Sequence, residues 1–206
     1  MNSSTPIQPS LSGLTIGLIE PEELAQYALT MLIRSQPDMN VVGVADDADT
    51  GLRMLTEKRP RVAVIEIDLE ARSGFDLAND LAMRQRETRV IFCSKVMPDI
   101  YIEQAVRSKA AGYLLRDDSM SNMLAAIKEV GNGGTYFSPA IREKISTDGA
   151  TGAPRASFEG RLSKLSDRQI EVLRTLAFGM SVKDVARKMH VPGNAVDSTS
   201  YPLMQS

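Results

Sequence analysis

Five times in its first two-thirds this chain sets a short β-branched run before a segment of helical period, and that strict alternation limits the possible folds severely. The runs are residues 15–19, 40–45, 62–67, 90–93 and 112–115, and the helical segments are 22–34, 50–58, 75–86, 99–108 and 119–131. Runs such as Val62-Ala63-Val64-Ile65 are almost continuously apolar, so both faces of the sheet they form must be covered. Parallel strands need crossover connections, and the helical segments supply them. The expected fold is α/β, a doubly wound five-stranded parallel sheet. Such a sheet takes its ligands outside the carboxyl ends of its strands. Glu20, Glu66, Ser94 and Arg116 each fall at or just past one of those ends, so separate stretches of sequence meet at one crevice.

Composition narrows the function. A single cysteine, Cys93 in the apolar setting Val90-Ile91-Phe92-Cys93, cannot make an internal disulfide and reads as a buried thiol. With one histidine, His190, the chain has no Cys/His metal cluster and no Ser/His/Asp triad. No enzyme, metal or cofactor is expected. A flavin carrier on the same crevice is disfavoured because the loops lack a phosphate-cradling glycine pattern and there is no tryptophan to stack the ring. No apolar stretch approaches the roughly 20 residues of a membrane span. Residues 1–13 are polar and Ser/Pro-rich without the blocks of a signal peptide, so a disordered tail and a cytoplasmic location are expected.

Charge is unevenly divided. Residues 1–160 carry 17 Lys+Arg against 22 Asp+Glu, and residues 161–206 carry 7 against 4. The two parts are expected to have different partners. Between the globular part, residues 14–145, and the basic part, residues 163–206, the small and polar stretch 146–162 reads as a flexible linker. In the basic part Leu165, Val172, Leu173 and Leu176 share one helical face, and Gly179 closes that helix. Ser181 with Asp184 begins a second helix as a capping box, with Val182, Val185, Ala186 and Met189 as its buried stripe. A turn through Pro192-Gly193-Asn194 leads to a candidate recognition helix, so a second, small all-α helix-turn-helix domain is expected.

Three pieces are specific: Gln36-Pro37-Asp38-Met39-Asn40-Val41-Val42-Gly43, Ala110-Ala111-Gly112-Tyr113-Leu114-Leu115-Arg116-Asp117, and Gly133-Gly134-Thr135-Tyr136-Phe137-Ser138-Pro139. They resemble the receiver domains of bacterial response regulators of the NarL/FixJ group, whose sheet is flavodoxin-like and which carry a LuxR-type helix-turn-helix. The resemblance implies an acidic pair that holds Mg²⁺, an aspartate that is phosphorylated, a Ser/Thr and a lysine that hold the phosphoryl oxygens, and an aromatic that moves with the switch. Here the acidic pair matches Glu20 and Pro21, the acceptor matches Glu66, the hydroxyl is Ser94, the lysine is replaced by Arg116 and the aromatic is Tyr113. Asp68, with Glu20, is left as the acidic content of the pocket and as a weak substitute acceptor. Phosphoryl transfer depends on positioning and on neutralising charge from both sides, so this set predicts a regulator released from phosphotransfer.

Each substitution carries two readings. Pro21 serves as a first helical residue followed by Glu22 and Glu23 at the positive end of the helix dipole, or Glu22 substitutes as a metal ligand. Glu66 sits solvated, or forms a bidentate ion pair with Arg116 that holds the switch without phosphate. Ser94 and Tyr113 are switch residues, or a strand end and core packing. In the second domain the resemblance puts Lys183 and Arg187 near phosphates and Asn194, Asp197, Ser198 and Ser200 against the duplex. Two features oppose DNA binding: the carboxylate of Asp197, and Pro202, which interrupts the recognition helix; with four residues after it, the fourth helix of the resembled module has no counterpart and an incomplete carboxyl end is expected. The leading expectation is a phosphorylation-independent transcription regulator that binds DNA, self-associates, and takes its input from a small ligand or partner protein at the receiver. Its rivals are a receiver-based interaction module that leaves DNA alone, and a regulator still phosphorylated on Glu66 or Asp68.

Overall fold

The computed structural model describes residues 13–147, 154–156 and 187. The chain divides into two units, Met1–Arg155 and Ala156–Ser206. In the first, strands and helices alternate: β1 (Leu14–Ile19), α1 (Glu23–Arg34), β2 (Met39–Ala45), α2 (Ala48–Lys58), β3 (Val62–Glu66), α3 (Gly74–Arg84), β4 (Arg89–Ser94), α4 (Asp99–Arg107), β5 (Gly112–Leu115) and α5 (Met120–Gly131). β6 (Tyr136–Phe137), α6 (Pro139–Arg142), β7 (Ile145–Thr147) and β8 (Pro154–Ala156) follow. All pairings in the main sheet are parallel, in the order β2-β1-β3-β4-β5-β6.

The sheet has six strands where five were expected. The sixth is the two-residue β6, too short to show any alternation, and it pairs Tyr136 with Gly112 and Phe137 with Tyr113. Gly112 makes room for it, since a Cβ there would lie 2.7 Å from the Tyr136 carbonyl oxygen. The expected linker is also part strand, because β7 and β8 form a two-stranded sheet. Helix α2 begins two residues earlier than its apolar period suggests, because Asp47 caps it by accepting from the backbone N–H groups of Asp49 and Thr50.

Alternation along each strand divides the core between two faces. Ile16 and Leu18 of β1, Val62 and Val64 of β3, Ile91 and Cys93 of β4 and Leu114 of β5 pack with Ile33 of α1 and Met123, Ala126, Ile127 and Val130 of α5. The opposite face carries α2, α3 and α4, where Phe75 meets Phe92 and Tyr101 edge-on at 4.6 and 5.6 Å between ring centres. Cys93 is buried and free, and burial, with the nearby Glu66 charge, pushes its thiol up to about 12.

The β3–α3 connection fixes the carboxyl end of β3. Ser73 caps α3 in a capping box with Asp76, and the Gly74 N–H donates to the Ile67 carbonyl at 2.9 Å. A Cβ at Gly74 would lie 2.3 Å from the Glu66 carbonyl oxygen and 2.9 Å from Ile65 Cγ2. The neighbouring atom is backbone, so it cannot swing aside. Gly74→Ala is therefore expected to cost about 1–3 kcal/mol, the usual penalty of overpacking, read as a lower urea midpoint at unchanged slope.

Candidate functional site

The carboxyl ends of β1, β3 and β5 extend the alternation by one more position each. Glu20 continues the face of Ile16 and Leu18, Glu66 that of Val62 and Val64, and Arg116 that of Leu114. These three side chains accordingly meet on the α1/α5 side of the crevice. Arg116 Nη2 donates to Glu20 Oε2 at 2.7 Å and also to Glu66 Oε2. Both carboxylates are buried, with 2% of Glu20 and 4% of Glu66 exposed. Their other oxygens are also taken: Glu20 Oε1 accepts the Glu22 N–H at 2.9 Å, and Glu66 Oε1 accepts the Asp68 N–H at 3.1 Å.

The bidentate fork expected between Glu66 and Arg116 is not what forms. One guanidinium nitrogen bridges two carboxylates, while Nη1 lies 3.0 Å from Glu22 Oε2 as an ion pair outside hydrogen-bond geometry. Glu20 lies close enough to share the cation, which the sequence spacing alone did not reveal. Glu22 also pairs with Lys95, just beyond β4, so Arg116 and Lys95 both end on carboxylates. Lys95 went unnoticed in the sequence, although it directly follows the strand-ending Ser94. Pro21 is not the first helical residue. It precedes the extended N-cap Glu22, so the chain turns at Pro21 and frees the Glu22 side chain to face the cations.

Asp68 does not join Glu20 in a common acidic pocket. β3 ends at Glu66, and the exposed Asp68 turns to the α4 side, where it accepts from the Tyr101 hydroxyl and, at 3.4 Å, from Ser94 Oγ. Ser94 is fully buried and its Oγ accepts the Val96 N–H at 3.3 Å. The Tyr113 ring is fully buried as well, with its hydroxyl donating to the Val96 carbonyl at 2.8 Å. Tyr101 is a member of this set that the sequence reading missed, because its α4 position reads as plain core. The crevice thus has an ionic half, Glu20, Glu22, Glu66, Lys95 and Arg116, and a hydroxyl half, Asp68, Ser94, Tyr101 and Tyr113.

Burial raises the Glu66 pKa above the ordinary carboxylate value, and the Glu20 charge adds to this while the Asp68 N–H and Arg116 oppose it. On Arg116 burial works against the charge, but the Glu66 and Glu20 carboxylates more than restore it and its pKa is raised. Burial likewise raises the Tyr113 phenol, which stays protonated.

Mg²⁺, which the receiver resemblance implies, does not fit this donor set. All four oxygens of Glu20 and Glu66 already accept hydrogen bonds, and a cation would have to displace the guanidinium that bridges them. Among the described residues no three His, Cys, Asp or Glu side chains are grouped to hold a metal ion. Of the residues expected at DNA, Arg187 is helical and exposed. Lys183, Asn194, Asp197, Ser198 and Ser200 lie outside the described residues, as do His190 and Pro202.

A doubly wound parallel sheet with carboxylates, a hydroxyl and a cation gathered past its strand ends defines a receiver-type signalling module. The family model for the response regulator receiver domain matches residues 16–128, and the chain belongs to that family. The uncharacterized transcriptional regulatory protein YxjL of Bacillus subtilis is 23% identical over 192 residues, covering 93% of this chain and 88% of YxjL. The nitrate/nitrite response regulator NarL of Escherichia coli K12 is 24% identical over 182 residues, 88% of this chain and 83% of NarL. A structure of two RcsB dimers bound to two parallel DNAs superposes with a TM-score of 0.60 at 15% identity, over 92% of this chain and 89% of that one, a likeness of fold. The chain is thus a response regulator of the NarL/LuxR type. These relatives are regulators, in keeping with the expectation of no enzyme.

Removing the shared cation would strand two buried carboxylates. Arg116→Met is expected to destabilise the fold by about 3–5 kcal/mol near neutral pH, the range for breaking a buried ion pair on one side. A carboxyl whose folded pKa is raised contributes stability that is present below its unfolded value and is lost as pH rises through the folded one. Arg116 holds the Glu66 pKa down against burial, so its loss raises that pKa further, and the Arg116→Met penalty is larger at about pH 8, where the carboxyl must be charged, than at about pH 5, checked by urea denaturation at the two conditions.

Proposed function

We propose that this protein is a transcription regulator that binds DNA through its carboxy-terminal part and whose receiver works without phosphotransfer. One observation carries the second half of the proposal: the Arg116 guanidinium bridges Glu20 and Glu66, and every oxygen of both carboxylates is engaged. An incoming phosphoryl group needs charge compensation as it transfers. The two cations of the ionic half, Arg116 and Lys95, are already paired with carboxylates. Glu66 also carries its carboxylate one methylene further than an aspartate, so the ion pair spans part of the region where an aspartyl phosphate would present its oxygens.

The relatives support the DNA half. YxjL is named a transcriptional regulatory protein, and RcsB has been seen on DNA. The excess of 7 basic over 4 acidic residues in 161–206 has the sign a phosphate backbone attracts. Lys183 and Arg187 are the cations proposed to meet phosphates.

The test uses the full chain with a small phosphodonor and Mg²⁺, followed by intact mass and by titration of a DNA duplex across salt concentrations. The expected result is no adduct and superimposable binding curves with and without the donor. Affinity should fall steeply with salt, and Lys183→Ala should reduce the log–log salt slope by about 1. A stable adduct of one phosphoryl group on Glu66 or Asp68 would reject the phosphorylation-independent reading. Binding that ignores salt, or no binding to duplex, would instead favour a receiver that acts only on protein partners.

A further inference from the structure

At the end of the sheet away from the crevice, a cavity of about 460 Å³ lies between the carboxyl ends of α3 and α4 and beside the first residues of β4. Its inner lining is apolar, with Ala78, Leu81 and Ala111 buried and Val90 half-buried. The exposed Ala82 and Met83 carry that surface outward. Three cations also line it, Arg86, Arg89 and Lys109, and among the described residues no Asp or Glu does. The volume suits a small organic molecule, and an apolar lining with a few polar groups is how sites for such molecules are built.

The positive charge exceeds what the two helices require. Each helix brings roughly half a negative charge to its carboxyl end. Arg84 and Arg107, in the last turns of α3 and α4, already stand where a cation that only balances a helix dipole belongs. Arg86, Arg89 and Lys109 lie beyond the helix ends, and none of them has a carboxylate partner among the described residues. Lys109 sits at a φ of 55°, so a position that glycine would occupy without steric cost carries a cation instead. Two polar atoms of the same wall are unsatisfied. Gln85 Oε1 and Arg89 Nε are buried without a hydrogen-bond partner among the described residues, although Gln85 Nε2 donates to the Leu55 carbonyl at 3.0 Å and Arg89 Nη2 to the Gly134 carbonyl at 2.7 Å. A guest that offers an acceptor to Arg89 and a donor to Gln85 supplies what the fold leaves out, through a small adjustment of these half-buried side chains. We infer that this cavity binds a small organic dianion, a phosphoryl group or a dicarboxylate on a short apolar body, with Arg86, Arg89 and Lys109 holding the charge and Leu81, Val90 and Ala111 the body. Three cations set against two half-charges leave an excess of about two, which selects a dianion over a single carboxylate. The site lies at the opposite end of the sheet from Glu66, so the inference stands whether or not Glu66 accepts phosphate.

The experiment is isothermal titration calorimetry of the full chain with phenylphosphonate at mildly alkaline pH, where that compound is a dianion. Its phosphorus is bonded to carbon and cannot be transferred, so binding is not confused with phosphorylation. Phthalate is the dicarboxylate arm, inorganic phosphate supplies the charge without the body, and benzyl alcohol supplies the body without the charge. The expected result is saturable binding of phenylphosphonate or phthalate, at least about tenfold tighter than binding of inorganic phosphate or benzyl alcohol, and the tighter of the two dianions identifies the head group. Arg86→Ala and Lys109→Ala should each weaken that binding by about tenfold, the loss of one charge-assisted contact. Ala82→Trp should abolish it by filling the cavity, and Arg84→Ala, which removes an exposed arginine outside the lining, should leave it unchanged. All four altered side chains are exposed, so folding should be retained, and circular dichroism checks it. The inference is overturned if neither dianion binds, or if inorganic phosphate binds as tightly as phenylphosphonate. Binding that survives both Ala82→Trp and Lys109→Ala lies elsewhere on the chain and overturns it equally.

Discussion

Two buried carboxylates and one guanidinium set the character of this receiver. Arg116 Nη2 ties the carboxyl ends of β1 and β5 to that of β3, and Nη1 extends the connection to the start of α1 through Glu22. The arrangement is costly to build, because each buried ion loses several kcal/mol of solvation before any attraction is counted. A guanidinium suits it better than an ammonium, since it is more weakly hydrated and its planar array of donors reaches several acceptors at once. The raised Glu66 pKa shows that burial outweighs the shared cation at that carboxyl. The cluster is thus a weak source of net stability, although losing Arg116 would strand both buried carboxylates.

Its position follows from register. Glu20, Glu66 and Arg116 occupy the next inward position of three parallel strands whose preceding side chains form the α1/α5 core. Ser94 and Tyr113 take the opposite parity and reach the α4 side, where Asp68 and Tyr101 join them. Two contacts join the halves among the described residues: Asp68 donates its N–H to Glu66 Oε1 while its own carboxylate accepts from Ser94 and Tyr101, and the Arg116 N–H donates to the Ser94 carbonyl at 2.9 Å. Any shift of Glu66 is passed through the Asp68 backbone to the α4 hydroxyls.

The sheet and its crevice were legible because strand length and helical period are local signals, and they placed Glu20, Glu66, Ser94 and Arg116 together. β6 was not, since two residues carry no period and its pairing depends on the absent side chain of Gly112. The split of the crevice was available in principle from strand parity, and Asp68 escaped it because β3 ends at Glu66 and parity stops with the strand. The partners of Arg116 needed three-dimensional information. Glu66 was expected as its partner, but that Glu20 shares the same nitrogen and that Lys95 reaches Glu22 depend on how far apart the strand ends lie. Pro21 was misassigned for a related reason. Its fixed φ suits a helix start, and only the position of Glu22 beside the cations shows that the turn falls one residue earlier.

Helix α1 joins the crevice to the outer surface of the receiver. Its N-cap, Glu22, is paired with Arg116 and Lys95, and two residues on its outer face begins with Leu24. A helix held at its first residue by the crevice cannot be reoriented on its outer face without disturbing those ion pairs.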